Sequence, residues 1–490
     1  MRRVVALALV AGLVAGGAGT AAAHGAHASV AVHTYSTKGT LPLRTSLFDP
    51  YRFVGNTEAF SVAHETGATY VRLLFNWSSV APGDRPTGFV PADDASPGYS
   101  WHELDTEVAA AERAGLTPIL DVFSAPKWAF AVRPRGTRAG TPKASDIGQF
   151  ATALAKHYDG TNGGPVVHTF EVWNEPNLSL SLSPSSPTAY RSLVNAFATS
   201  VHAVNRKNIV IAGGLDPFAN QAPRFVTKAP LAYMRALLCV SMGNRKAKKA
   251  ALRKPHATCK AKTHFDVWSH HPYTFNGPFG HAKRKDDVSL GDLSKMRALL
   301  RTAVRLHRVV SSHPVQFWVT EFSWDTSPPR PHAVPLMLHA RWTAESLYQM
   351  WRSGVSLATW FLLQDRPSPS PYQSGLYFGS HALADAKAKP ALTAFRFPFV
   401  AYLHKRAVTV WGRDATSEKT LVTIQRAHRR AGPWRTVARI RANRYGIFKA
   451  SVRLKARRKD WVRATASDSG PSLPFSLTVP KTRHVGPWGN

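Results

Sequence analysis

Val167-His168-Thr169-Phe170-Glu171-Val172-Trp173-Asn174-Glu175-Pro176-Asn177 is a β-branched and aromatic run that stops abruptly in Asn-Glu-Pro. Residues 167–173 have the composition of a strand, and Asn-Glu-Pro is one way to end a strand and cap the helix that follows. A helical pattern does follow, from Tyr190 to Val204. The same unit recurs on both sides. Strand-like runs occupy Ala68 to Phe75, Thr117 to Phe123, Ile209 to Gly213, Phe265 to His270, Val315 to Thr320 and Ser356 to Leu362, and a weaker run from Arg44 to Phe48 makes eight. Amphipathic helical patterns separate them, among them Trp101 to Ala114, Ile147 to His157, Leu290 to His307 and Pro335 to Trp351. Eight strands alternating with helices predict an α/β fold, a (β/α)8 TIM barrel with its functional side chains at the carboxyl ends of the strands. An open doubly wound sheet competes with this reading, but no Gly-rich phosphate loop follows the first strand and eight units exceed its usual count.

Past about residue 400 the helical pattern stops. Short alternating runs at Ala407 to Trp411, Thr420 to Gln425, Arg435 to Ile440, Gly446 to Val452, Trp461 to Ala466 and Pro474 to Thr478 predict a small all-β sandwich. The expected organisation is a leader and processing region over 1–28, a barrel over 40–400 and a sandwich over 404–482. No long Pro- or Ser-rich linker precedes the sandwich, so it is expected to dock on the barrel.

The first residues, Met1-Arg2-Arg3, an apolar run from Val4 to Val14 and a Gly/Ala segment ending Ala21-Ala22-Ala23, have the form of a secretory signal peptide, cleaved after Ala23 or Ala28. The reading is a secreted protein with no stable membrane insertion after cleavage, since no later segment reaches ~20 uninterrupted apolar residues. Cys239 and Cys259, the two cysteines of the chain, read as a disulfide pinning the Lys- and Arg-rich loop between them. Two cysteines without suitably spaced partners do not complete a zinc shell, and no metal or cofactor is expected. The formal charge of +34 is concentrated at 244–254, at Arg426 to Arg430 and at Lys455 to Lys459. Such a field attracts polyanions, an anionic polysaccharide or cell-wall polymer, unless it is simply a solvated surface. Nucleic acid is not expected, because no groove of interleaved aromatic and basic residues is evident.

Two carboxylates stand at strand ends, Glu175 on the fourth strand and Glu321, in Trp318-Val319-Thr320-Glu321-Phe322, on the seventh. Three strand–helix units separate them, so they can face each other across the barrel mouth. Breaking a glycosidic bond needs such a pair: one carboxyl to protonate the leaving oxygen, another to attack or to activate water. Arg72 and Tyr273 can donate hydrogen bonds that keep Glu321 ionised, while Glu175 beside Trp173 sits in a more apolar setting that favours a proton. Arg72 can equally form a structural ion pair with Glu65 or Asp121. Trp77, Trp128, Trp324 and Trp360 offer flat faces to sugar rings, or fill the core. Asp325 and Asp365 lie near the rim.

The Trp-Asn-Glu-Pro segment and the aromatic strand ending in Thr-Glu-Phe resemble the clan A glycoside hydrolases, barrel enzymes that retain anomeric configuration. The resemblance, over about residues 44–400, implies that Glu175 is the general acid and base, that Glu321 is the nucleophile and that Asn174 binds the sugar 2-hydroxyl. It further implies substrate-binding places for Arg72 on strand two, for Tyr273 in His270-His271-Pro272-Tyr273 on strand six, and for Trp360 on strand eight; His271, read as a polar residue near the pocket, is a further substrate-binding candidate. Pro126-Lys127-Trp128, with Ser124 where some cellulase-like members carry histidine, looks nearer to family 39 than to typical family 5 enzymes. The expected partner is a carbohydrate substrate, with xylosidase, arabinosidase, iduronidase and endo-acting hydrolase all open. The alternative is a non-catalytic carbohydrate- or cell-wall-binding protein on the same fold.

Overall fold

The computed structural model describes residues 32–34, 42–161, 163–222, 225–367, 370–414, 419–467, 469–480 and 485–488. Within them eight parallel strands close into one barrel. They are β1 Arg44–Phe48, β2 Tyr70–Asn76, β3 Thr117–Phe123, β4 Thr169–Val172, β5 Ile209–Leu215, β6 Val267–His270, β7 Gln316–Phe322 and β8 Leu357–Phe361. A helix follows each: α1 Glu58–Glu65, α2 His102–Arg113, α3 Ala144–His157, α4 Pro187–Val204, α5 Pro230–Leu238, α6 Leu293–Arg305, α7 Leu336–Arg352 and α8 Pro390–Arg396. The barrel closes where β8 runs beside β1, Leu357 opposite Arg44 and Phe361 opposite Phe48.

Side chains alternate across each strand, so every second residue enters the barrel. One interior layer is apolar: Ile119, Ile211, Val267, Trp318 and Leu357 pack together. Two residues further along their strands the interior turns polar, with Asp121 after Ile119, Ser269 after Val267 and Thr320 after Trp318, all fully buried. Arg72 on β2 and Glu171 on β4 join that layer. The barrel therefore stacks an apolar floor beneath a charged one, and the charged layer faces the mouth. At the end of β5, Gly213 has φ 115°, and a Cβ there would run into the Ser269 carbonyl oxygen. Glycine lets β5 lie against β6 at this level.

The sandwich follows, with β9 Phe399–His404, β10 Ala407–Arg413, β11 Leu421–Ala427, β12 Arg435–Arg441, β13 Ile447–Arg453 and β14 Trp461–Ala466. One sheet runs β13-β10-β9 and the other is built on β12-β11-β14. The strand β9 begins before the run expected to open this unit, and the segment Val32–Thr34 adds an antiparallel edge to β13, Val32 opposite Val452. The sandwich docks on α7: the Trp411 ring lies 5.2 Å from Tyr348 and 5.6 Å from Trp351, and the Arg341 guanidinium sits 4.0 Å over Phe475. Arg413, buried at this junction, donates to Thr45 Oγ1 of β1 at 3.3 Å.

Cys239 and Cys259 are joined in a disulfide. No helix among the described residues is long and apolar enough to cross a membrane. The expected leader, residues 1–28, lies outside the described residues.

Candidate active site

Arg72 organises the charged layer. Its Nε donates to Glu171 Oε2 at 2.7 Å, its Nη2 to Asp121 Oδ2 at 2.6 Å and Asn174 Oδ1 at 2.9 Å, and its Nη1 to Glu321 Oε2 at 3.2 Å. Burial works against the cation, but Glu171, Asp121 and Glu321 outweigh it and push the Arg72 pKa up. One guanidinium cannot neutralise three carboxylates. The excess falls on Asp121: burial first, and then Glu171, Glu321 and Glu175 against the single attraction of Arg72, raise its pKa well above the ordinary carboxylate range. Its Oδ1 has no hydrogen-bond partner among the described residues.

Glu321 lies at the end of β7, where the pairing with β8 shifts register between Val319 and Phe322. Its Oε1 accepts from the Tyr273 hydroxyl at 2.5 Å and its Oε2 from Arg72, so one donor from the loop after β6 and one from β2 fix its orientation. Burial and the facing Glu321 carboxylate push the Tyr273 phenol up, keeping it a donor.

Glu175 reaches the mouth by a backbone that leaves β4 sharply. Trp173 has φ 71° and Glu175 φ 48°, the left-handed region that costs a side-chain-bearing residue of order 1–3 kcal/mol unless its surroundings hold it. Here they do. Trp173 N donates to Val122 O at 3.0 Å, its Nε1 to Ser181 O at 3.0 Å, and Glu175 N to Gly214 O at 3.1 Å.

His271 links the two carboxylates. Its Nδ1 lies 3.1 Å from Glu175 Oε1 and 3.9 Å from Glu321 Oε2, and its Nε2 lies 3.1 Å from Thr320 Oγ1. The Thr320 hydroxyl spends its one proton on Glu171 Oε1 at 2.9 Å, so it accepts from His271 Nε2. Burial lowers the His271 pKa to about 4, which makes the ring neutral near pH 7, and its single proton is then on Nε2. Nδ1 is left as an acceptor. The proton between it and Glu175 therefore belongs to Glu175, whose own pKa burial pushes up to about 7 against the pull of Arg72. Hydrogen bonding and burial agree that the Glu175 carboxyl holds a proton at rest.

Of the residues expected at the site, Arg72, Asn174, Glu175, His271, Tyr273 and Glu321 come together. Trp360 does not. It is fully buried on the outer face of β8, its Nε1 donating to Ser374 O at 2.9 Å and its ring packed on Phe322 at 5.1 Å and His339 at 5.4 Å. The strand's inward residue at that level is Phe361, which packs with Phe48, Leu362 and Tyr372. Trp128, half-buried in the loop after β3, donates to Pro82 O at 2.9 Å and packs on Trp77 and Phe89. Trp77 and Trp324 are core residues. Asp325 and Asp365 are buried clamps rather than rim groups: Asp325 pairs with Arg330 at 2.9 Å and Asp365 with Lys389 at 2.6 Å. Glu171 and Asp216 are part of the site without having been singled out, and Asp121, expected only as an alternative partner of Arg72, joins them. Asp216 follows β5, and burial together with nearby Glu175 pushes its pKa well up.

Residues 25–323 match the sequence model of the family described as cellulase, glycosyl hydrolase family 5. No curated protein sequence matches significantly. Among solved structures, a family 39 glycoside hydrolase from the gut symbiont Bacteroides cellulosilyticus WH2 superposes with a TM-score of 0.50 at 16% identity, covering 85% of this chain and 81% of that one. A monomeric β-xylosidase from Caulobacter crescentus CB15 gives 0.48 at 15% identity over 87% and 98% of the two chains. A family 39 enzyme from Xanthomonas axonopodis pv. citri gives 0.48 at 17% over 89% and 95%. At these identities the likeness is one of fold.

Proposed function

Because this chain belongs to the family described as cellulase, glycosyl hydrolase family 5, we propose that it cleaves O-glycosidic bonds of an oligosaccharide or polysaccharide by retaining double displacement, with Glu175 as acid and base and Glu321 as nucleophile. The observation that carries this reading is the position of His271 between the two carboxylates. Its Nδ1 distances of 3.1 Å and 3.9 Å bound the two facing oxygens to about 7 Å of each other, which admits the ~5–5.5 Å carboxyl spacing of retaining enzymes.

The chemistry follows from the proton positions. Glu321 oxygen attacks the anomeric carbon as the glycosidic C–O bond breaks, and the Glu175 proton passes to the leaving oxygen. Water then gives a proton to Glu175 while its oxygen displaces Glu321 from the ester, restoring both carboxyls. Asn174, its Oδ1 held by Arg72, has an amide nitrogen with no partner among the described residues to offer the sugar 2-hydroxyl. The barrel, about residues 40–400, is the catalytic unit in this reading and 404–482 an accessory one. Secretion through the leader at 1–28, and attraction of an anionic polysaccharide or cell-wall polymer to the basic surface, complete the proposal.

The test is chemical rescue. Glu321→Ala should lose hydrolysis of aryl glycosides and recover part of it with azide, giving a glycosyl azide of configuration opposite to the substrate. No rescue, together with full activity of Glu175→Gln, would dismiss the assignment.

A further inference from the structure

Residues 485–488, Val-Gly-Pro-Trp, return from beyond the sandwich to the barrel mouth. They lie across the loops that leave β6 and β7: Asn276 N donates to Val485 O at 3.0 Å and Asp325 N to Pro487 O at 2.7 Å. The anchor on the β7 side is a stiff one, because Asp325 is itself fixed by Arg330 at 2.9 Å and by the Gln373 N–H at 2.8 Å. The middle of the segment is pressed close. A Cβ on Gly486 would sit 2.9 Å from Phe275 Cε1, so a larger residue there would have to displace that ring. Val485, Gly486 and Pro487 are buried, while Trp488 keeps part of its surface open.

That last ring is the notable one. Its centroid lies 5.0 Å from that of Tyr273, at an interplanar angle of 41°, and Tyr273 is the residue whose hydroxyl holds Glu321. Trp360, the residue expected to supply a sugar platform, is fully buried on the far face of β8, and Trp173, Trp268, Trp318 and Trp324 are sealed in the core as well. Trp488 is half-open, rigidly delivered and one side chain away from the carboxylate that would meet the anomeric carbon.

We propose that Trp488 is a specificity-determining residue: the carboxy-terminal segment completes the sugar subsite beside Glu321 with an aromatic wall that stacks on the C–H face of a pyranose ring. An indole face excludes water and favours a ring that presents apolar C–H groups. The inference rests on the hydrolase reading above.

Trp488→Ala and Trp488→Phe are compared with the full-length protein on the p-nitrophenyl glycoside, from a panel of β-glucoside, β-xyloside, β-cellobioside and α-arabinofuranoside, that the unmodified protein cleaves fastest. Loss of one stacked ring raises KM about tenfold in Trp488→Ala, with the loss falling on KM rather than kcat, and Trp488→Phe recovers most of it. An unchanged KM in Trp488→Ala overturns the proposal, and so does a higher kcat/KM, which makes the segment a cover over the site. Glu321→Ala run on the same substrate separates the two claims. If it cleaves as fast as the unmodified protein, the hydrolase reading itself fails; if it is inactive while Trp488→Ala is normal, only the subsite is wrong.

Discussion

Glu175 enters the resting site with its proton, and that has a measurable sign. The group donates only while protonated, so kcat/KM should fall as pH rises through about 7. His271 Nδ1 accepts that proton and so favours the protonated form. His271→Ala should therefore move the alkaline limb down by about one unit, the worth of one hydrogen bond; an unmoved or raised limb in the pH–rate profile would contradict the proton assignment. The same raised pKa acts on stability: its contribution is fully present below the ordinary value of 4.5 and is lost as pH rises through about 7. At this scale the sequence was informative where residues end strands. Glu175 and Glu321 could be placed from their positions at strand ends, whereas Arg72, which lies within β2, and Asn174 and Tyr273 were placed by the resemblance. Glu171 and Asp121 could not, because a strand buried on both faces carries no alternation to say which side chains point inward. One of the alternatives for Arg72, an ion pair with Asp121, turns out to coexist with its contact to Glu321.

Strand β8 shows how far that ambiguity reaches for a whole element. Its existence and limits could be read closely from the run Ser356 to Leu362, yet the face of Trp360 could not, since Leu357, Ala358, Trp360 and Phe361 are all apolar and all buried. Trp360 packs outward under the helices. Trp360→Ala should cost about 3–5 kcal/mol of stability, as truncating a buried aromatic does, and leave KM of the folded fraction unchanged. Thermal melting beside steady-state kinetics checks this: a KM rise with intact stability would return Trp360 to the pocket. The short turn of β4 into Asn-Glu-Pro, by contrast, was legible because its proline and its aromatic neighbour mark a strand end, although the positive φ of Trp173 and Glu175 has no signature in residue type.

Over the whole molecule, the barrel and the sandwich share one continuous hydrophobic core across α7, and the basic runs are displayed on the surface. With a formal charge of +34, retention on an anionic support such as polygalacturonate should be strong at low salt and fall steeply towards about 0.3 M, as screening shortens the reach of the field. Loss of retention on removing the sandwich would place the binding there, whereas salt-independent retention would argue against an electrostatic cause. The two-part plan was readable from the change of period near residue 400. The three-residue strand at Val32–Thr34 was not, being too short to carry a pattern. That small strand puts a delay into the making of the protein. Its partner Val452 is more than four hundred positions downstream, so at ~5–20 residues per second a ribosome needs roughly 20–80 s to supply it. That strand thus waits for its place until the whole barrel has been made, and the sheet it borders is finished only after the barrel.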